Sequence, residues 1–579
     1  ATGIRHAILE PDEFVVLRAA VQRLFGTTML PYPDLANASF LLNFSADFLH
    51  GWIAPVALAR AYGEFRQGRA GQRGLYYHVG PRLSATAANA DRWFPITPGS
   101  EGLVALAIAN VLLTEGSIPA DRFGPYLTAL GIDEARLTSD FTPDRVAEAS
   151  GLSAEQIREL AHALVEHSPA IVLAGTSAAA ATNGLFNLVA TFGLNVLLGS
   201  VNQPGGLLLN PEPPLPDLRI PTDAILSERQ WADLFEQIRS GSISTVLFYR
   251  ANPVYSLPPA LGVADALRSA QHVVSFSPFF DETTQLADLV LPDLAWLEQW
   301  GLQVPDPGPG YATVAIQQPV VQPFADGRAF GDVLIQLAQA LGQSLPWGSQ
   351  EEATKALAVQ LRQISGGSVP GGNDKEFLVN LQAQGGWWSE QIRGSATTPT
   401  TTITSPRDPE FNGDVNQYPY ILLPYPLHTL GYGELAHLPW LQALPEPIST
   451  NVWQTWLEVA QRTADELDLT TGDLVRLTTP QGSVELPVYV NPAAQPGVIA
   501  IPFGQGHTAY GRYAEGRGVN PLTIVAPQTD PDAGTLAWSA TRCRIEKTGR
   551  RVRLARFEGI VPAFQLEEFP IVRVMAPSA

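Results

Sequence analysis

The chain has 579 residues and a single cysteine. One thiol excludes an intrachain disulfide, a Cys-based zinc site and a Cys-ligated iron–sulfur cluster within these residues. Cys543, in a Thr-Arg-Cys-Arg stretch, reads as a structural thiol. Charge is also scarce: 16% of residues are Asp, Glu, Lys or Arg, against a usual ~25%. With 45% hydrophobic residues, such a chain is not disordered. It buries much of its surface internally or against partners. At ~150 residues per domain, the length suggests about three or four domains.

Basic residues are the scarcer charge. The chain carries 36 of them against 56 acidic ones, a formal net charge of −20. That balance speaks against nucleic acid and against anionic lipid as partners. It admits a basic docking partner. No signal peptide is visible, and the opening ATGIRHAILE reads as the middle of a domain, either processed or incomplete. Residues 168–211 carry no charged side chain. The run GLFNLVATFGLNVLLGSV (184–201) nevertheless reads as a buried helix, because two Asn and three Gly interrupt it and a span needs ~20 mainly apolar residues.

Alternation of strands and helices is what is present. AIVLAG (170–175) is an apolar strand with a Gly turn. Leu185, Leu188, Val189, Phe192 and Val196 then recur at helical spacing. SFLLNFSADF (39–48), STVLFYRANPVYSLP (244–258) and HVVSFSPFFDETTQLADLVLPD (272–293) repeat the strand-then-loop pattern. Amphipathic helices fall at 154–168 and 330–342. The pattern predicts an α/β class with parallel sheets covered by helices on both faces, and ligands at the carboxyl ends of strands. Residues 364–418, rich in Gly, Pro, Ser and Thr, read as a surface excursion. Within it, Trp387 and Trp388 read as a surface anchor or a local packing pair. From about 447 the chain turns β-rich. Residues 473–490 form a hairpin around Pro480-Gln481-Gly482, and 497–507 form another strand. The segment before them reads as a helix burying Val459, Ala460, Ala464 and Leu467. A C-terminal β-barrel is expected.

General catalytic motifs are absent: no GxxxxGK[ST], no HExxH and no GxSxG. The nine histidines are scattered, and His428 and His437 lack the companions a metal would need. GQGH (504–507) and GYGE (431–434) read as turns needing positive φ, before phosphate cradles. Asp281-Glu282-Thr283-Thr284, with Asp288 after it, leaves a strand. These groups suit either a ligand's N–H groups or the cap of the next helix.

Together the segments resemble the molybdopterin oxidoreductase (dimethyl-sulfoxide-reductase-like) superfamily. FSADFLHGWIAPV (44–56), PRLSATAANADRWFPITPGSEGLVALAIA (81–109), AGTSAAAATNG (174–184), GLNVLLGSVNQPGG (193–206), YRANPVYSLP (249–258) and SFSPFFDETTQLADLVLPDLAWLEQWG (275–301) match its conserved stretches in order. ADELDLTTGDLVRLTTPQGSVELPVYV (464–490) resembles its pterin-binding barrel. The departures are as informative. The Cys-rich cluster segment is absent. RLFGTTMLPYPDLANASFLL (23–42) runs from helix to strand without the family's metal-ligand segment. Only Thr27, Thr28, Tyr32, Asp34 and Ser39 offer oxygen there, and Asp34 reads as part of the turn. Asn183 stands in an HxNG-like motif whose histidine is missing.

This profile is similar to one branch, the cofactor-free molybdopterin-like large subunit of bacterial alternative complex III. GQGHTAYGRYAEGRGVNP (504–521) is the most specific match. The resemblance implies a non-catalytic scaffold in a membrane-bound quinol:electron-acceptor oxidoreductase of photosynthetic or respiratory electron transport. No cofactor is expected in this chain. Haem c and iron–sulfur clusters would sit in partners: an iron–sulfur domain or subunit, a multihaem cytochrome c and integral-membrane quinol-binding subunits. A blue-copper protein or cytochrome c would accept electrons. The location implied is the periplasmic face of the membrane. The degenerate pterin-like cleft would involve Ser45, Ser177, Asn183, Asn252, Asp281, Asp288, Gly504 and Gly506, and is expected to be empty.

The alternatives are an active molybdopterin enzyme whose further N-terminal part supplies cluster and ligand, and a binding module unrelated to electron transfer. The domain layout implied is 1–50 with 206–345 as a discontinuous α/β domain, 51–205 inserted, and 346–446 a linker. The barrel would span 447–550, and 551–579 would be a tail leading to a further domain or partner.

Overall fold

The computed structural model describes residues 4–557 except 69–70, 222 and 397–402. Its first sheet is parallel, built from β1 (Phe40–Phe44), β2 (Leu75–Val79), β3 (Arg92–Phe94) and β4 (Ala170–Ala174), in the order β3-β2-β1-β4. The central strand β1 is wholly apolar apart from Asn43, and every residue of it is buried. That is the expected signature of a parallel strand covered on both faces.

Helices α1 (Asp12–Phe25), α2 (Glu101–Thr114), α3 (Ala154–Glu166) and α4 (Gly184–Leu198) cover the sheet and share one core with it. Helix α4 is the charge-free run, and it is core, not membrane. Among the described residues no helix is long and apolar enough to cross a membrane. Its two asparagines bind neighbouring backbone. Asn195 accepts from Val172 N–H at 3.0 Å and donates to Val172 C=O at 2.8 Å. Asn187 accepts from Gly102 N–H and donates to Ala178 C=O. Buried amides of this kind are tolerated because they are satisfied. Gly199, at φ 67, ends the helix in the left-handed conformation.

The second parallel sheet holds β5 (Thr245–Phe248), β6 (His272–Ser275) and β7 (Leu289–Val290). Helices α5 (Glu228–Arg239) and α6 (Val263–Ser269) pack on one face. Helix α7 (Phe330–Ala340) follows.

A third, antiparallel sheet joins β8 (Gly301–Gln303), β9 (Tyr311–Gln317) and β10 (Gly386–Arg393). Helices α8 (Gln350–Gln360) and α9 (Asp374–Gln384) belong with it. The expected linker is therefore folded over most of its length. Trp387, fully buried in this core, is a packing residue.

The barrel closes in the order β11-β15-β12-β14-β13-β16, from β11 (Tyr420–Tyr425), β12 (Leu457–Ala460), β13 (Asp473–Thr479), β14 (Gly482–Asn491), β15 (Val498–Pro502) and β16 (Thr541–Arg551). It begins at 420, not 447. Val459 and Ala460 lie on strand β12, and only Gln461–Glu466 is helical. Cys543 is buried in the barrel core, where burial pushes its thiol pKa up.

The expected domain split also shifts. Strand β1 pairs with β2 and β4, so most of 1–50 folds with 51–205. The contacts of 1–50 with the 206–345 unit include a bridge from Ile8 to Ile225, the pairing of Tyr32–Pro33 with Leu207–Leu208, and the hold of Arg18 and Leu30 N–H on Asp306. The expected lead-in to a further domain falls largely on 558–579, outside the described residues.

Candidate functional site

The two parallel sheets aim their strand ends at the barrel, and each makes a seam with it. At the first seam, β1 ends in Ser45, a non-glycine residue at φ 62. Its hydroxyl faces Glu101 Oε1 at 3.3 Å. Burial pushes the Glu101 pKa up to about 7, and its Oε2 has no hydrogen-bond partner. Ser177 follows β4 in a short turn, Thr176–Ala179. Both serines line the same cleft, with Asp47, His78 and Arg82.

Arg82 crosses that cleft. Its Nη2 donates to Glu458 Oε1 at 2.8 Å and its Nε to Oε2 at 3.1 Å. Its guanidinium lies 3.6 Å from the centroid of Tyr425, whose hydroxyl donates to Glu458 at 2.7 Å. Glu446 stands 3.5 Å away. Burial opposes the Arg82 charge, but Glu458, Tyr425 and Glu446 outweigh it and hold its pKa above the usual value. Such a buried, bidentate, stacked pair is where arginine is preferred to lysine.

Glu13 accepts from Tyr432 Oη at 2.7 Å and from Thr176 N–H at 2.8 Å. Burial raises its pKa to about 7. His50 and His428 meet edge to face at 4.6 Å. The space between these groups, solvent-open part included, is about 410 Å³.

The second seam is built on Glu282 and His507. His507 Nδ1 lies 3.0 Å from Glu282 Oε1, and Nε2 lies 3.0 Å from Gly433 C=O. Both ring nitrogens thus face oxygen acceptors. The ring stacks on Tyr255 at 3.7 Å. Glu282 also accepts from Asn252 Nδ2 and from the N–H groups of Thr508 and Ala509. Burial works against its charge, but the His507 hydrogen bond and charge and the Asn252 hydrogen bond prevail, bringing its pKa down to about 2.

The expected site residues thus divide. Ser45 and Ser177 share the first cleft. Asn252 sits at the second seam, and Asp281 beside it caps the turn at Thr284, accepting from its N–H at 2.7 Å. Asn183 lies outside both, donating to the carbonyls of Gly99 and Arg407. Asp288 is also elsewhere, accepting from Val273 N–H. Gly504 and Gly506, at φ 105 and 90, are packed against protein. A Cβ on Gly506 would lie 2.0 Å from Asn520 N.

Asp34 accepts from Gly205 N–H at 2.9 Å and forms the turn expected of it. His428 and His437 do not meet. His437 lies against Phe279 and Tyr510, and among the described residues no group of three or more His, Cys, Asp or Glu could hold a metal.

Sequence reasoning passed over Arg82, Glu458 and the His507–Glu282 pairing. All four lie inside the stretches singled out. The signal was the residue types; the pairing was not visible.

The Molybdopterin oxidoreductase family profile matches residues 15–340, and the Molydopterin dinucleotide binding domain profile matches 446–541. The chain is 28% identical to the menaquinone reductase, molybdopterin-binding-like subunit of Nitratidesulfovibrio vulgaris, over 94% of this chain and 76% of that protein. It is 24% identical to the arsenate respiratory reductase molybdopterin-containing subunit of a Shewanella species, over 89% and 75%. Acetylene hydratase from Pelobacter acetylenicus shares the fold, with a TM-score of 0.70 at 18% identity, covering 93% of this chain and 82% of that one.

Proposed function

The chain belongs to the molybdopterin oxidoreductase family, and from that premise we propose that it is a cofactor-free, non-catalytic subunit of a membrane-bound quinol:electron-acceptor oxidoreductase of the alternative complex III kind. The observation that carries this reading is the Arg82–Glu458–Tyr425 bridge. It occupies the cleft between the first sheet and the barrel, where the family's pterin would enter. The space that remains, about 410 Å³ with its solvent-open part included, is lined by Arg82, Tyr425 and Glu446 themselves. At the second seam the donors that could meet a pyrophosphate are already spent: Asn252, His507 and the N–H groups of Thr508 and Ala509 all face Glu282. The residues present therefore fit the cofactor poorly. The match to a quinone-linked "molybdopterin-binding-like" subunit agrees with this reading.

On this reading the chain is a scaffold. Redox groups, haem c and iron–sulfur clusters, belong to an iron–sulfur domain or subunit and a multihaem cytochrome c. Integral-membrane subunits bind the quinol. The chain sits on the periplasmic face, where a blue-copper protein or cytochrome c takes the electrons.

Molybdenum and tungsten analysis of the purified complex tests the reading, together with fluorescence of oxidised pterin. Less than one metal per ten chains is expected. Stoichiometric metal and pterin would overturn it in favour of an active enzyme, in which Arg82 would have to release Glu458.

A further inference from the structure

The second parallel sheet is covered on one face only. Val246, Phe248 and Val273 face α5 and α6. On the other face Leu247, Val274 and Leu289 stand in one cross-strand row, and among the described residues no helix covers them: Leu247 and Leu289 are exposed. Parallel sheets bury both faces beneath helices, because their strands are apolar on both.

The neighbouring surface continues the anomaly. Tyr249 stacks on Phe330 at the start of α7. From Val333 to Ser349 the chain has no charged residue, yet Leu334, Leu337 and Leu341, one stripe of α7 and its end, are exposed. A surface helix normally turns charge outward. Beside it, Val320 and Val321 hydrogen-bond to Leu297 C=O. Trp296 is 63% exposed and Phe324 98%.

We propose that this face is an interface for a helical, apolar surface of another subunit, held permanently. The occupant's being a subunit of the complex rests on the function proposed above; the exposed face itself does not. The exposed apolar side chains present on the order of 1,000 Å², counting ~150–250 Å² for a fully exposed large side chain. That exceeds the ~300–600 Å² of the largest patch on a typical monomer and reaches the ~800 Å² per partner of a stable interface.

The chemistry selects among occupants. A transient electron carrier is steered by charge, and the α7 stripe has none. Anionic lipid is disfavoured by the acidic chain and by Glu298 and Asp326 beside the patch. The missing layer over a parallel sheet is helical.

Hydroxyl-radical footprinting of the native complex, against the isolated full chain, tests this. Trp296 and Phe324 should oxidise at least ~5-fold more slowly in the complex. The triple variant Leu334→Asp, Leu337→Asp, Leu341→Asp should keep the wild-type Tm and lose co-purifying subunits at least ~10-fold. Val379→Asp, an exposed change on α9, should lose none. Equal oxidation in both samples, or a triple variant that co-purifies its partners fully, overturns this proposal alone. A wild-type chain that purifies without partners overturns the subunit reading and this proposal with it. Two results reassign the face and overturn a helical subunit as its occupant. One is protection in the isolated chain through dimerisation. The other is protection only on phosphatidylglycerol–phosphatidylethanolamine vesicles.

Discussion

The two seams between sheets and barrel do one job with two chemistries. The first is closed by an arginine, whose charge does not titrate in the accessible range. It is bidentate, stacked on Tyr425 and backed by a second carboxylate. The second is closed by a histidine whose two ring nitrogens face Glu282 and the Gly433 carbonyl. At the first seam the arginine keeps its charge at any pH the protein survives, and only Glu458 of the pair can lose its own. At the second, the carboxylate and the imidazole are both groups that gain or lose protons. The difference is between a seam held on one side by a fixed charge and a seam held on both sides by groups that titrate.

The strongest way to break the comparison is Arg82→Ala. It leaves Glu458 buried and unpaired, and should cost about 3–5 kcal/mol. Denaturant unfolding of the full chain checks this. A loss below ~1 kcal/mol would mean that the bridge does not hold the seam.

Glu101→Gln probes the uncompensated carboxyl beside the first seam. Its pKa in the fold is about 7 against an ordinary 4.5. The folded state therefore holds a proton that the unfolded state has lost between those values, and stability falls as pH rises from about 4.5 to about 7. The Gln variant should be flatter across that window and roughly 1–3 kcal/mol more stable at pH 8. Unfolding midpoints at pH 5 and 8 decide the sign.

Glu282→Gln sharpens the other side. The Glu282 pKa of about 2 lies below the ordinary 4.5. Its contribution is complete above about 4.5 and is lost as pH falls through about 2. Wild type should lose roughly 1–2 kcal/mol across that window, less than full linkage because the group is partly solvated. The variant should lose none of it. Asn252→Ala tests the same side. It removes one hydrogen bond to Glu282 and two from Thr283, and at roughly 0.5–1.5 kcal/mol each should cost about 2–4 kcal/mol.

Much of this architecture was legible in the chain, because local periodicity carries it. The apolar strands at 40–44 and 170–174, the buried helix at 184–198 and the hairpin at 473–491 all follow from spacing and turn residues. Strand β11 follows a long polar stretch and contains Pro424, so no local signal marks the start of the barrel at 420. Helices α8 and α9 do not gather their apolar residues on one face, so no helical stripe sets the segment apart from a linker. The seams were illegible for a different reason. Arg82 and Glu458 are 376 positions apart, and Glu282 and His507 are 225 apart. No local pattern marks a pair created by tertiary packing. Ser45 and Ser177 were placed together by the family resemblance, whereas Asn183 and Asp288 are spent on backbone bonds that only the packed structure reveals.

The barrel's closure by β16 has a consequence for assembly. Pairing with both β11 and β13, β16 leaves the ring without an open edge. A free edge would offer unpaired N–H and C=O groups to any passing strand. At the barrel, therefore, the chain offers no strand edge on which a copy of itself could add. What joins it there must read loops and side chains, and a wrong neighbour finds no backbone ladder to grip.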